Sequence, residues 1–372
     1  MEYRSFGSLG YKVSAFGFGA MRLPSLENGK VDEAEAIKMI RHAVDSGVNY
    51  FDTAYVYHDG NSEVILGKAL KGGLREKVYV ATKLPTWSVR SEGDVMRLLD
   101  ESIKRLGTGY IDFYLVHALN RNHLEKLKKI NILGELEKAK AEGKIKHIGF
   151  SFHDELDVFK NIVDFYDWEM CQIQLNILDN EYQAGIEGLK YAGAKNIPVV
   201  IMEPVKGGML AKNIPDEALQ LYNDYKVKRS PVEWAFRFAS DFKEVAVVLS
   251  GVSDMGQLKD NIRIFADTAP CSLSKGDIEL LDSVRAAYKS KILVGCTGCE
   301  YCLPCPSKVA IPEIFNRYNN SVFDMEKFKR NYEALEGGGK TNCIECGACE
   351  KVCPQHLPII EKLKEAAQLA HS

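Results

Sequence analysis

The chain has 372 residues, 46% of them hydrophobic and 27% charged, with a formal net charge of −3 at pH 7. That length suits a large domain with an appendage rather than one small core, and the composition is that of a globular protein. The near-neutral charge excludes an electrostatic footprint for nucleic acid or a membrane surface. No apolar run approaches the ~18 residues of a membrane span, and the opening MEYRSFGSLGYKV has no charged-then-apolar targeting pattern, so a cytoplasmic protein is expected.

Residues 3–14 read as a small hairpin. Short β-branched runs then alternate with longer amphipathic stretches. Candidate strands lie at 16–20, 49–54, 78–84, 111–117, 146–151, 171–176, 198–203 and 245–250. Helical spacing marks 33–46, 62–70, 93–106, 123–142, 154–166, 184–195 and 254–265; in the third, Val95, Leu98, Leu99, Ile103 and Leu106 define one face. Gly47, Gly107 and Gly143 stand where helices end.

This alternation implies parallel strands joined by helical crossovers, an α/β fold. Eight such units over about 265 residues fit a closed (β/α)8 TIM barrel of ~250 residues. The open doubly wound sheet is the weaker reading, because no G-x-G-x-x-G follows a strand: Gly17 and Gly19 in FGFGAM lack a third glycine. A further helix spans 274–290, with Ser274 as its N-cap. The composition then changes abruptly to CTGCEYCLPCP. The expected domains are therefore a barrel at 1–290 and a small cysteine-rich α+β domain at 291–372.

Barrel chemistry collects at the C-terminal ends of the strands. Read in order, those ends offer Asp52, Lys83, His117, Ser151, Gln174 and Asn176, with Tyr57 in the loop five residues after Asp52. Asp52, Tyr57, Lys83 and His117 suit carbonyl reduction. Hydride arriving at a carbonyl carbon leaves an alkoxide, which needs a proton donor beside it. A phenol of ordinary pKa near ~10 is a weak donor alone, but a neighbouring ammonium favours its phenolate. A carboxylate holds that ammonium charged, and a histidine can orient the carbonyl oxygen. Tyr55, His58 and Trp87 are candidates for the wall of the mouth.

FDTAYVY with NSEVILGKAL resembles the D-T-A-x-x-Y…S-E-x-x-L-G stretch of the aldo/keto reductase family. ATKL and LVHAL are similar to the strands that carry its lysine and histidine. The resemblance runs through most of residues 3–268, including IKHIGFSF, EPVKGGML and LSGVSDMGQLKDN. It implies that Tyr57 is the proton donor, that Lys83 and Asp52 tune it, and that His117 orients the substrate. It also implies NADP(H) or NAD(H) bound in extended form across the barrel mouth. Ser151 and Gln174 match the residues that hold the carboxamide. Met202, Glu203 and Pro204 stand where many members stack an aromatic ring on the nicotinamide; a methionine can pack there. Gly251, Ser253, Gln257, Asp260 and Asn261 match the adenosine phosphate site, where a helix N-terminus favours an anion; a plain N-cap at Ser253 or Asp254 is the competing reading. The basic residue that many members aim at a 2′-phosphate is absent from 250–257, which leaves the choice of dinucleotide open.

Eight of the ten cysteines fall within 296–353. Nothing suggests the secretion that a disulfide framework would need. Cys343, Cys346, Cys349, Cys353 and Pro354 form C-x2-C-x2-C-x3-C-P, the bacterial ferredoxin run. Cys296, Cys299, Cys302, Cys305 and Pro306 repeat it one residue shorter. Zinc also uses C-x2-C pairs, but rarely three such cysteines and then C-P, twice. Two 4Fe–4S clusters are therefore expected. The fourth cysteine of each run crosses to the other cluster in two-cluster ferredoxins, which groups Cys296, Cys299 and Cys302 with Cys353, and Cys343, Cys346 and Cys349 with Cys305. Cys171 and Cys271 read as structural thiols. A hinge-like loop is expected at 333–340 and an amphipathic helix in LPIIEKLKEAAQLA.

The whole reads as a nicotinamide-dependent carbonyl reductase or alcohol dehydrogenase acting on a small-molecule carbonyl substrate, with a tail that exchanges electrons with a redox protein partner. Hydride carries two electrons and each cluster passes one, and no flavin signature bridges them. The alternative makes the barrel a nicotinamide-sensing scaffold and the tail an electron-transfer or docking module. The intact tetrad favours the enzyme.

Overall fold

The computed structural model describes residues 1–212, 214–322, 325–333, 335 and 342–371. The hinge-like stretch expected at 333–340 lies, apart from residues 333 and 335, outside them. Two compact units emerge: Met1–Pro204 with Ala235–Leu273, and Val205–Trp234 with Ser274–Ser372.

The first unit opens with an antiparallel hairpin, β1 (Tyr3–Ser5) and β2 (Lys12–Ser14). Eight parallel strands follow: β3 (Phe16–Gly19), β4 (Tyr50–Asp52), β5 (Tyr79–Leu84), β6 (Ile111–Leu119), β7 (Ile145–Phe152), β8 (Met170–Gln174), β9 (Val199–Met202) and β10 (Val245–Gly251). Each pairs with its neighbours in chain order, and β10 returns to β3 to close the barrel. The hairpin covers the N-terminal end. Phe6, fully buried, packs against the rings of Tyr50 and Phe113 at separations of 5.9 and 4.8 Å. It shares a core with Met170, Val200 and Ala246, all from the beginnings of strands. Chemistry is left to the other end.

The helices start and stop where the sequence marks them. Asp32 caps Glu33–Asp45 by accepting the Glu35 N–H, and a capping box of Ser91 and Asp94 opens Glu92–Leu106, which ends at left-handed Gly107. The single helix expected at 123–142 is instead two, Arg121–Lys129 and Ile132–Ala141. The apolar stripe explains the break. Leu124 and Leu127 are followed by buried Ile132, Leu136 and Ala139, five residues on rather than three or four. A continuous helix would turn Asn131 inward; the break at Ile130–Asn131 resets the stripe. Among the helices not expected are Asp216–Asp224 and Pro231–Ser240. The second carries a legible start, since the Ser230 hydroxyl accepts the Glu233 N–H in S-P-V-E.

In the second unit, a capping box of Ser274 and Asp277 opens Lys275–Lys289. Helices Ile311–Asn320, Met325–Glu333 and Ile359–His371 bury Ile314, Phe315, Phe328, Leu363 and Ala366 together. Cys296, Cys302, Cys305, Cys343, Cys349 and Cys353 pack against that core. The expected terminal amphipathic helix thus supplies part of the wall behind the cysteines. The described residues of this unit form helices, turns and loops and no strand. No helix among the described residues is long and apolar enough to cross a membrane.

Candidate active site and metal centre

The strand ends bring four of the expected side chains together. Asp52 closes β4 and Lys83 lies near the end of β5; Lys83 Nζ donates to Asp52 Oδ1 at 2.7 Å and to the Thr53 carbonyl at 2.8 Å. The same ammonium lies 5.1 Å from the centre of the Tyr57 ring. The Tyr57 and His117 rings meet edge to face, 6.2 Å apart. Trp87 flanks His117 at 5.1 Å and is 41% exposed, at the rim as expected.

Local irregularities aim these groups. Tyr57 opens a turn, Tyr57–Gly60, in which His58 and Asp59 hold left-handed φ of 51° and 55°. Such backbone costs about 1–3 kcal/mol per residue and persists only where surroundings enforce it. Here the His58 ring accepts the Leu23 N–H at 3.3 Å, and Arg105 donates to the Tyr55 carbonyl at 2.9 Å. On β6 the register with β7 shifts between Val116 and Leu119, with Ala118 at φ 52°, and His117 sits in that bulge. Tyr55 departs from expectation. Its hydroxyl donates to Glu101 at 2.7 Å and its ring lies under the Arg105 guanidinium, so helix Glu92–Leu106 holds it rather than the mouth.

Burial governs the electrostatics. Lys83 and Asp52 side chains are 1% and 4% exposed. Loss of water pushes the Lys83 ammonium down and the Asp52 carboxyl up, and each opposes the shift of the other. Asp52 Oδ2 has no hydrogen-bond partner among the described residues. His117 is pushed well below the ordinary histidine value, first by burial and then by the Lys83 charge. It is therefore a neutral imidazole near pH 7.

The residues matched to a nicotinamide also gather at strand ends. Ser151 Oγ accepts the Ala118 N–H at 2.8 Å and keeps its own hydrogen to donate. Gln174 closes β8 and donates to Asp179 at 2.6 Å; Asn176 donates to the same oxygen at 2.9 Å and to the Glu203 carbonyl at 3.1 Å. Hydroxyl and amide groups of this kind fit a carboxamide, which both donates and accepts. Asp179 was missed by sequence reasoning, although N-x-x-D after a strand signals the turn it makes: Asn176 Oδ1 accepts the N–H groups of Leu178 and Asp179. Met202 closes β9 with its sulfur 3.7 Å from Gln172 Nε2, and Glu203, at φ 56°, leads to Pro204. Gly251 closes β10 under the stem of Arg22. Helix Met255–Ile264 is capped by Asp254, which accepts the Gln257 N–H at 2.8 Å, so the plain N-cap does form. Ser253 N–H donates to Gln257, Asn261 donates to Ser250 at 3.0 Å, and Asp260 pairs with Arg263.

The second unit carries the cysteines of both runs. A cavity of about 230 Å³ has Cys302, Cys305, Cys343, Cys346 and Cys349 in its wall, together with Leu303, Ile344 and Val352. The Cys302 thiol is pushed up to about 12 by burial and then by Cys299, Cys296 and Cys353. Cys353 thus lies within charge range of Cys302, and Cys305 shares the cavity wall with Cys302 and the second run. Among the described residues no three His, Cys, Asp or Glu are drawn together as around one ion. A cubic cluster spreads its thiolates farther than four ligands at ~2.3 Å from a single metal, so this all-thiol donor set suits clusters better than a lone ion.

A β/α barrel with an ion-paired lysine beneath a tyrosine, together with a unit that carries eight cysteines in two runs, defines an oxidoreductase with an iron–sulfur tail. Residues 15–286 match the family model of the aldo/keto reductase family, and residues 295–357 that of a 4Fe-4S dicluster domain. The chain belongs to the aldo/keto reductase family. It is 29% identical over 312 residues to L-galactose dehydrogenase of Arabidopsis thaliana, a match spanning 78% of this chain and 96% of that protein. A probable aldo-keto reductase 1 of Glycine max is 36% identical over 153 residues, 39% of this chain and 43% of that one. The holo form of aldo-keto reductase AKR11C1 from Bacillus halodurans superposes with a TM-score of 0.65 at 25% identity, covering 76% of this chain and 96% of that chain.

Proposed function

We propose that the barrel, residues 1–290, interconverts a small carbonyl compound and its alcohol with NAD(P)(H), and that residues 291–372 carry electrons to or from a redox protein in the cytoplasm. The 2.7 Å Lys83–Asp52 pair beneath the Tyr57 ring is the observation that carries this reading. The nicotinamide, when bound, supplies or accepts the hydride. Tyr57 gives its phenolic proton to the carbonyl oxygen, and the Lys83 ammonium stabilises the phenolate left behind. Asp52 fixes the direction of Lys83. His117, being neutral, hydrogen-bonds the substrate oxygen without competing as a proton source. Ser151 and Gln174 hold the carboxamide, with Met202, Glu203 and Pro204 beside the ring. Gly251, Ser253, Gln257, Asp260 and Asn261 receive the adenosine phosphate end. The two cysteine groups hold two 4Fe–4S clusters, which pass single electrons.

The test is oxidation of NADH and NADPH by simple aldehydes and aldoses, followed anaerobically on cluster-replete protein; the similarity to an enzyme named for L-galactose places aldoses in the screen. Turnover with at least one pair is expected, and tight dinucleotide binding with no turnover across the screen would favour the sensing scaffold instead.

Changing Lys83 to Met removes the cation next to the phenol. The rate should fall, and the alkaline limb of the pH–rate profile should move to higher pH, because the phenolate has lost its stabilising charge. The acid side should show no histidine step near pH 6.5 in either protein, since His117 is already neutral there. An unchanged alkaline limb would separate Lys83 from Tyr57.

A further inference from the structure

Lys206 is a buried lysine, 6% exposed, that the carbonyl chemistry does not use. Its ammonium lies 3.9 Å from where a side chain on Gly295 would begin, and Gly295 immediately precedes Cys296. The next residue locks this approach. Gly207 has φ +63°, and a Cβ there would come within 2.1 Å of the Thr297 carbonyl oxygen, immediately after Cys296. Backbone lies against backbone at a distance that only glycine permits. Lys206 itself holds φ 47°, a conformation that surroundings must enforce for a residue with a side chain. A lysine is therefore fixed beside the first cysteine run, whose Cys296 and Cys302 pack on a core that includes Val294 and Val309. Lys206 does not line the cavity that Cys302 and Cys305 share with Cys343, Cys346 and Cys349.

We propose that Lys206 raises the reduction potential of the cluster held by Cys296, Cys299, Cys302 and Cys353, making it the one of the two that fills first. The proposal rests on the assignment of clusters to the two cysteine groups. One electron entering a thiolate-bound cluster adds a negative charge, and a fixed cation in weakly polar surroundings stabilises that form more than the oxidised one. The Gly298 N–H, which donates to Cys296 Sγ at 3.4 Å, acts in the same direction. The unequal pair gives electrons a resting place at one end of the unit. Lys206 is a positioning residue for charge and touches no reacting substrate.

The experiment is a dithionite titration of the anaerobic holoprotein followed by EPR, comparing the unaltered chain with Lys206→Met, Lys206→Gln and Lys206→Arg, with iron counted in each. In the two neutral variants one cluster should become harder to reduce, its reduced-to-oxidised ratio at a fixed potential falling about tenfold, or 59 mV for one electron. The other cluster should stay in place, and Lys206→Arg should restore the first. Unchanged potentials in a fully loaded neutral variant, equal shifts of both clusters, or an Arg variant that shifts as far as the Met variant would each overturn the proposal. Loss of about four iron from both neutral variants would assign Lys206 to holding the run together and overturn it equally. If iron analysis of the unaltered chain shows no clusters, the cluster assignment itself fails, which is a separate result.

Discussion

Changing Tyr57 to Phe should lower carbonyl reduction by ~10²–10⁴, the worth of a positioned proton donor, while leaving nicotinamide affinity nearly unaltered. The substitution removes one hydroxyl and keeps the ring, so the edge-to-face contact with His117 and the cation contact with Lys83 both survive. The hydroxyl acts on substrate rather than on the dinucleotide, whose matched residues lie on β7 to β10 and the helix after them. Single-turnover rates with saturating dinucleotide, together with fluorescence titration of the cofactor, separate the two quantities. Wild-type turnover in Tyr57→Phe would remove Tyr57 from the chemistry. A parallel loss of dinucleotide affinity would show that the turn at Tyr57–Gly60 had been disturbed.

Anaerobically purified protein should contain about eight iron and eight sulfide per chain, the content of two cubic clusters. Changing Cys353 to Ser should reduce this to about four of each. The cluster that is lost should be the one grouped on Cys296, Cys299 and Cys302, although Cys353 is nearest in sequence to the other run. The motif's crossed pattern is the basis for this, with Cys353 within charge range of Cys302 and Cys305 in one cavity wall with Cys343, Cys346 and Cys349, a wall that Cys302 also joins. The barrel should keep its far-UV circular dichroism, because among the described residues its strands pair only with one another. Zinc in place of iron, about four iron in the unaltered chain, or loss of the second-run cluster in Cys353→Ser would each refute the crossed arrangement.

Much of this was legible in the sequence because the signals are local. Eight short apolar runs separated by amphipathic stretches define the barrel, and Asp52, Lys83, His117, Ser151 and Gln174 lie at its strand ends because strands of known length end where their polar residues begin. Phe6 was legible as part of a hairpin, though not as the ring that fills the N-terminal mouth. What escaped is non-local or conformational. No residue in 111–119 announces the bulge that aims His117, where Ala118 at φ 52° gives its N–H to Ser151 on the next strand. Tyr55 sits in the family motif, yet Glu101 and Arg105, some fifty positions on, decide where it points. Lys206 gave no sign of its place, because the run that it meets begins ninety positions later. The helices Asp216–Asp224 and Pro231–Ser240 escaped for a simpler reason: their starts at Pro215 and Ser230–Pro231 are helix signals that also read as turns.

The pair at the base of the site has a consequence for the evolution of this chain. An ion pair with both side chains almost wholly buried contributes little to folding, and well-packed apolar residues of similar volume in its place are often neutral or stabilising by about 1–4 kcal/mol. Asp52 and Lys83, at 4% and 1% exposure with one carboxylate oxygen unpartnered among the described residues, are such a case. The barrel thus holds a reserve of stability that it can draw on only by giving up its rate. A selection for heat resistance alone would reach these two positions early, and would return a sturdier barrel with an idle mouth.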